Sequence, residues 1–366
     1  MPIYFSEKDL LAPPAERAAF SDRQAYLCAE LSRLAYFKFE GGHSLEQAVE
    51  LARYLFKDSE KLKLFEAGLK KVLTGSPGTE RDGEAVLREI LSGGEFELVE
   101  TLNQSGTQGF ICTRIVSLPS GGKKTSAFLV FRGTEPTEFA DIRSDIRARL
   151  RSRAVGTETF EIHDGYLTAF ENVEEQITRV LGGLAYDQLF LTGHSLGGAL
   201  AMVATRLLAS DCTGACYTFG APPIGTVELQ NTLKTPVYEI VNEVDIVPRL
   251  PNPWMASVFV FLLRLLRVLA KSVTFLNTLL FKGGWDAKLE AFIEAMTRYR
   301  HPGYVSYLVG SGSEARLRFN VDGFDRLKWW TRMMWKRGFT GFSAMIKDHS
   351  IDLYAGKLAI HAKKRM

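Results

Sequence analysis

Apolar positions recur at helical spacing through residues 14–92, in runs such as Arg23 to Phe37 and Leu45 to Leu73, with a Gly-Ser-Pro-Gly break at 75–78. That pattern predicts a helical N-terminal region. From about residue 95 the pattern shortens to β-rich runs at 96–102, 110–118 and 127–131. Strand-like and helix-like runs then alternate: 160–163 before 167–181, 189–192 before 195–208, and further buried strands at 215–219 and 237–241. Such alternation predicts helices packed on a mostly parallel sheet, an α/β architecture. We divide the chain into a helical region, 1–94, packed on a core of 95–366 with a helical insertion at about 252–300.

Residues 254–281 interrupt the alternation. They are nearly all apolar, Trp254 and Phe259 included, except for Arg264, Arg267 and Lys271. On a helix those three cations form one narrow stripe. Central charges oppose membrane insertion by roughly 2.5–3.5 kcal/mol each, so a helix lying in the lipid headgroup region fits better than a spanning one. A buried helix whose cations meet carboxylates is the other reading. Residues 326–339 add Trp329, Trp330 and Trp335 interleaved with five cations, a second candidate for a membrane boundary that reads equally as a packed helix with a basic face. No other feature resembles a nucleic-acid module, and none is expected.

Charge sharpens the contrast between the two parts of the chain. Residues 251–366 hold 19 Lys and Arg against 8 Asp and Glu, whereas the whole chain carries only +3. A basic C-terminal third predicts an anionic surface as partner. The four cysteines, Cys28, Cys112, Cys212 and Cys216, are too few and scattered for a disulfide framework, and no metal site is expected. The first residues lack a basic stretch, apolar run and cleavage site. The expected location is therefore cytoplasmic or membrane-peripheral, with another export route left open.

The candidate chemistry lies in Gly193-His194-Ser195-Leu196-Gly197. A serine hydroxyl becomes a nucleophile only with exposure, a base and donors for the oxyanion it creates. Gly-x-Ser-x-Gly between a strand and a helix is the nucleophile-elbow pattern, in which the base is a histidine and the chain order is serine, acid, histidine. Asp245 directly follows an apolar strand, and Glu243 is its rival. Of His301, His349 and His361, we choose His349 at a loop-to-helix boundary; His361 sits in a basic tail and His301 before an apolar run. The oxyanion donors would be the backbone N–H of Leu196 and that of Thr134, which ends the strand Phe128 to Thr134.

Seven stretches stand in one order: 31–36, Val130 to Thr134, Ile162 to Tyr166, Gly193 to Gly198, Tyr217 to Pro222, Val241 to Pro248 and Asp348 to Tyr354. With them the chain resembles the class 3 lipases, the fungal-lipase-like branch of the α/β-hydrolases, from about residue 25 onward. The resemblance implies the α/β-hydrolase fold, Ser195 as nucleophile, Asp245 as acid, His349 as base, and Thr134 and Leu196 as the oxyanion hole. It also implies a lid in residues 135–157, where Asp141 and Ile142 stand and Ile142 replaces the family's frequent tryptophan. The expected activity is hydrolysis of lipid carboxylic esters at an interface, triacylglycerol lipase or esterase, without a cofactor. A phospholipase A1 and a catalytically silent binding domain are the alternatives. The expected partners are a lipid ester and a membrane or lipid-droplet surface.

Overall fold

The computed structural model describes residues 4–13, 20–37, 83–118, 121–133, 149–208, 210, 212–243, 245, 247–249, 298–301, 303–326, 328, 329, 331 and 348–366. Its centre is an eight-stranded sheet ordered β1-β2-β3-β6-β7-β8-β9-β10. Strands β1 (Glu97–Gln104), β2 (Thr107–Ser117) and β3 (Lys123–Phe131) form an antiparallel meander. From β3 the sheet runs parallel through β6 (Gln188–His194), β7 (Thr213–Phe219), β8 (Val237–Asn242) and β9 (Tyr304–Val309). Short antiparallel β10 (Arg316–Arg318) closes one edge. A separate hairpin pairs β4 (Leu150–Val155) with β5 (Glu158–His163). Strand β4 falls within the segment expected as lid: 150–155 is strand.

Alternate side chains of each central strand feed two cores, which is why these strands read as continuous apolar runs. Phe128 and Val130 of β3, Tyr217 and Phe219 of β7 and Leu308 of β9 face helices α1 (Asp22–Leu34) and α6 (Ile351–Lys363). Ala127, Leu129 and Phe131 of β3, with Leu189 and Leu191 of β6, face α3 (Asp164–Gly182) and α4 (Leu196–Leu207). The first helix begins where Ser21 accepts a hydrogen bond from the Gln24 amide at 3.3 Å, satisfying one of the donors that a helix start leaves open. It is wedged between α6 and the sheet. Helix α2 (Gly83–Ser92) buries Leu87 and Leu91 beside β1, and α5 (Val227–Thr232) buries Leu229.

Helix α6 also changes the reading of His361. It is buried in this helix, where Nδ1 accepts from the Leu317 amide at 3.3 Å and Nε2 lies 3.2 Å from Asp22. Among the described residues no helix is long and apolar enough to cross a membrane, and no group of three metal-ligating side chains occurs. All four cysteines are free.

Candidate active site

Strand β6 ends at His194 and α4 starts at Leu196, leaving Ser195 alone at the turn with φ 56° and ψ −127°. Such a backbone is strained for a residue with a side chain, at a cost of order 1–3 kcal/mol, and it persists only where packing enforces it. Close packing supplies the enforcement. A Cβ on Gly197 would lie 2.4 Å from the carbonyl oxygen of Phe131, the last residue of β3, so only glycine lets α4 approach that strand end. The Ser195 amide donates to the Phe219 carbonyl of β7 at 2.9 Å. Its hydroxyl is buried and has no hydrogen-bond partner among the described residues. The serine–histidine bond is therefore not made in this geometry; such contacts tighten when substrate binds.

Asp245, fully buried after β8, reaches His349, which lies just before α6. Its Oδ2 accepts from His349 Nδ1 at 2.7 Å and from the Tyr354 hydroxyl at 2.6 Å, while Oδ1 accepts from the Val247 amide at 2.9 Å. Tyr354 is itself oriented by the Asn242 amide, which donates to its oxygen at 2.9 Å. Burial, with Asp245 alongside, raises the Tyr354 phenol well above its usual range. A proton on Nδ1 of a neutral imidazole leaves Nε2 as the basic nitrogen of His349. Gly220, at φ 59°, sits beside this group: a Cβ there would stand 2.8 Å from Asp245 Oδ2 and 3.0 Å from His349 Cε1. The glycine of Phe219-Gly220 thus leaves room for the Asp245 and His349 side chains to meet.

His194 has a different task. Its Nε2 lies 2.6 Å from the His349 carbonyl, an acceptor, so that nitrogen carries the proton; Nδ1 then accepts from the Tyr36 hydroxyl at 2.7 Å. Burial first, and the neighbouring His349 second, hold its pKa well below the ordinary value, so it stays neutral. The chain Tyr36–His194–His349 backbone ties α1 to the loop that bears the base.

Of the residues singled out in the sequence, Gly193, His194, Ser195, Leu196, Gly197, Asp245 and His349 come together here. Leu196 opens α4, where an amide has no acceptor within its own helix. Thr134, Asp141, Ile142, Trp254, Phe259, Arg264, Arg267, Lys271, Trp330 and Trp335 lie outside the described residues. Trp329 packs on the sheet, its ring 5.6 Å from Tyr307 and 5.9 Å from the Arg318 guanidinium. Glu243 faces away from the acid position, accepting from the Gly310 amide at 3.2 Å. Sequence reasoning missed Tyr36 and Tyr354 as supports, although both stand inside the stretches that carried the resemblance.

Residues 128–255 match the family model described as Lipase (class 3). Over that stretch the chain is similar to the class 3 lipases. A secreted mono- and diacylglycerol lipase from Fusarium solani is 36% identical over 98 residues, 25% of this chain and 29% of that protein. The matched part thus spans under a third of that relative's length. Among solved structures, the lipase of Rhizopus microsporus var. chinensis is 19% identical, covering 76% of this chain and 80% of that chain with a TM-score of 0.44. A mutant form of MDLA from Penicillium cyclopium is 14% identical, covering 82% and 87%, also at 0.44. The chain keeps the expected α/β-hydrolase arrangement, a mostly parallel sheet with the elbow between β6 and α4. One expectation is corrected: the similar Fusarium protein is a secreted one, which points to secretion and against the cytoplasmic location. The signal-sequence argument weighed only the first residues, and a short N-terminal pattern says less about export than a secreted relative does.

Another buried histidine makes the protein's stability depend on pH. His163 caps α3, its Nδ1 accepting from the Gly165 amide at 3.1 Å and its ring stacked 4.2 Å from Tyr166. Burial pushes its pKa down to about 4, against the nearby Asp164 carboxylate. The unfolded chain therefore takes the proton first, and stability is lost as pH falls from about 6.5 toward 4. The expected loss by pH 5 is about 2 kcal/mol from this group, read by urea denaturation. His163→Asn should flatten that slope, and an unchanged slope would remove the assignment.

Proposed function

We propose that the chain is a serine hydrolase that cleaves carboxylic esters of lipids through an acyl-enzyme. Ser195 Oγ attacks the acyl carbonyl as His349 Nε2 takes its proton. Asp245 holds the imidazole tautomer and steadies the imidazolium. The amide of Leu196, joined by that of Thr134, stabilises the oxyanion. The tetrahedral adduct then expels the alcohol, which leaves with the proton from His349. Water adds to the acyl-enzyme by the same route, giving the fatty acid and restoring the serine. The observation that carries this reading is the buried Asp245–His349 pair at 2.7 Å beside a strained elbow serine.

The Fusarium relative, by its name a mono- and diacylglycerol lipase, supports acylglycerols as the substrate class. The basic C-terminal third supports action at a lipid surface that bears anions. The test has two arms. A fluorophosphonate probe should label the folded protein, with the modified peptide containing Ser195. Initial rates on emulsified mono- and diacylglycerol, on triacylglycerol and on phosphatidylglycerol vesicles should then favour the acylglycerols. A faster release of fatty acid from phosphatidylglycerol would replace the substrate class with a phospholipid. Neither labelling nor hydrolysis by folded, detergent-treated protein would leave a binding domain instead.

A further inference from the structure

His301 and Glu239 form a pair outside the site described above. Glu239 is buried on β8, three residues before the strand end that leads to Asp245, and it is an acidic residue inside an otherwise apolar strand. His301 is the point at which the chain returns after residues 250–297. Its Nδ1 lies 2.5 Å from Glu239 Oε2 and its Nε2 2.6 Å from the Pro248 carbonyl. The second Glu239 oxygen accepts from the Gly303 amide at 2.8 Å. Both partners of the ring are acceptors. A neutral imidazole has one N–H and satisfies only one of them; an imidazolium satisfies both.

The carbonyl that His301 grips belongs to the turn that carries the acid. Asp245 begins this turn, its side chain accepting from the Val247 amide, and Arg249 closes it by donating to the Glu243 carbonyl. Pro248 lies between the two. Resting on the proposed roles of Asp245 and His349, we propose that His301 is a positioning residue: its imidazolium clasps Glu239 and the Pro248 carbonyl, fixing the 245–249 turn so that Asp245 stays directed at His349.

The charge on His301 is held by its surroundings. Burial opposes it most, and Arg326 beyond β10 opposes it too, but the charge and hydrogen bond of Glu239 together with the Pro248 carbonyl outweigh both and keep the pKa above the ordinary histidine value. The clasp is therefore present below the ordinary histidine value and is lost as pH rises through the raised one. Without the second N–H, either the buried carboxylate or the turn carbonyl gives up its donor.

The test pairs ring titration with kinetics on the full chain. Histidine ring resonances are followed by nuclear magnetic resonance, His301 being identified by its loss in His301→Asn, and kcat and KM are measured against pH with a soluble short-chain ester. In the wild type, kcat should fall on the alkaline side at the pH where the His301 ring loses its proton. In Glu239→Gln both events should move together to lower pH, by about a unit, with KM unchanged. A ring that titrates at or below the ordinary histidine value, or a kcat indifferent across the pH at which the ring titrates, overturns the proposal. So does a Glu239→Gln profile that superimposes on the wild type while only the melting temperature drops. If Glu239→Gln does not fold, the coincidence of the two wild-type curves decides alone. A wild type that titrates as expected yet hydrolyses no ester overturns the hydrolase reading and the positioning role with it, whereas hydrolysis with an indifferent profile removes only the latter.

Discussion

Ser195→Ala is expected to lower kcat for ester hydrolysis by about 10⁶-fold, the scale seen when a serine nucleophile acting with its base is deleted. The argument rests on what the hydroxyl does not do in the fold. It caps no helix and has no hydrogen-bond partner among the described residues. Removing a buried, unpaired hydroxyl costs little and often stabilises. The thermal midpoint should therefore stay level or rise while turnover and probe labelling disappear. The backbone at residue 195 keeps its strained φ in the variant, so the elbow and the approach of Gly197 to β3 are retained, and substrate binding should survive. Measured together, kcat, labelling and the melting curve separate a nucleophile from a turn residue. Retained turnover at about a tenth of wild type or more, against the loss expected for such a nucleophile, would sink the assignment.

Much of this arrangement is legible in the chain because the strands that position it are buried on both faces. Residues 127–131, 189–192, 215–219 and 237–241 read as continuous apolar runs, and each lies within a central strand. Strands β4 and β10 are not legible. Leu-Arg-Ser-Arg-Ala-Val and Arg-Leu-Arg are half-exposed ribbons whose polar positions resemble those of loops. The acid and base can be chosen from their order after the serine and from their places at a strand end and a helix start. The supports cannot. Tyr36 meets His194 across 158 residues, and Glu239 meets His301 across 62. No local period records such a contact. Glu239 offers the only local hint, a carboxylate inside a strand with no room for solvent, which requires a buried donor. His301 gives no hint of its own, because the apolar run that follows it accounts for its place well enough.

Asp245→Asn is expected to reduce kcat by about 10⁴-fold, because the loss of charge also reverses the imidazole. In the wild type Oδ2 receives two donors, the His349 ring and the Tyr354 hydroxyl, and Oδ1 receives the Val247 amide. An amide has one acceptor and one donor end, so it cannot serve both sides. If its oxygen faces Val247, the NH₂ group points at His349, Nδ1 must accept, and the proton moves to Nε2, where a base is needed. If the oxygen faces His349, the NH₂ group opposes the Val247 amide inside a fully buried turn. Both outcomes weaken the site, and the second also costs stability, on the order of 1–3 kcal/mol for an unpaired buried donor. Tyr354→Phe provides the contrast. It removes one donor but leaves the carboxylate, the Val247 contact and the Nδ1 proton, so kcat should fall about tenfold or less, the scale of one neutral hydrogen bond. The Asn242 amide, left without its acceptor, should then appear as about 1–2 kcal/mol of lost stability. Should the two variants lose turnover equally, Asp245 would act only as a scaffold for the turn, and the tautomer argument would fail.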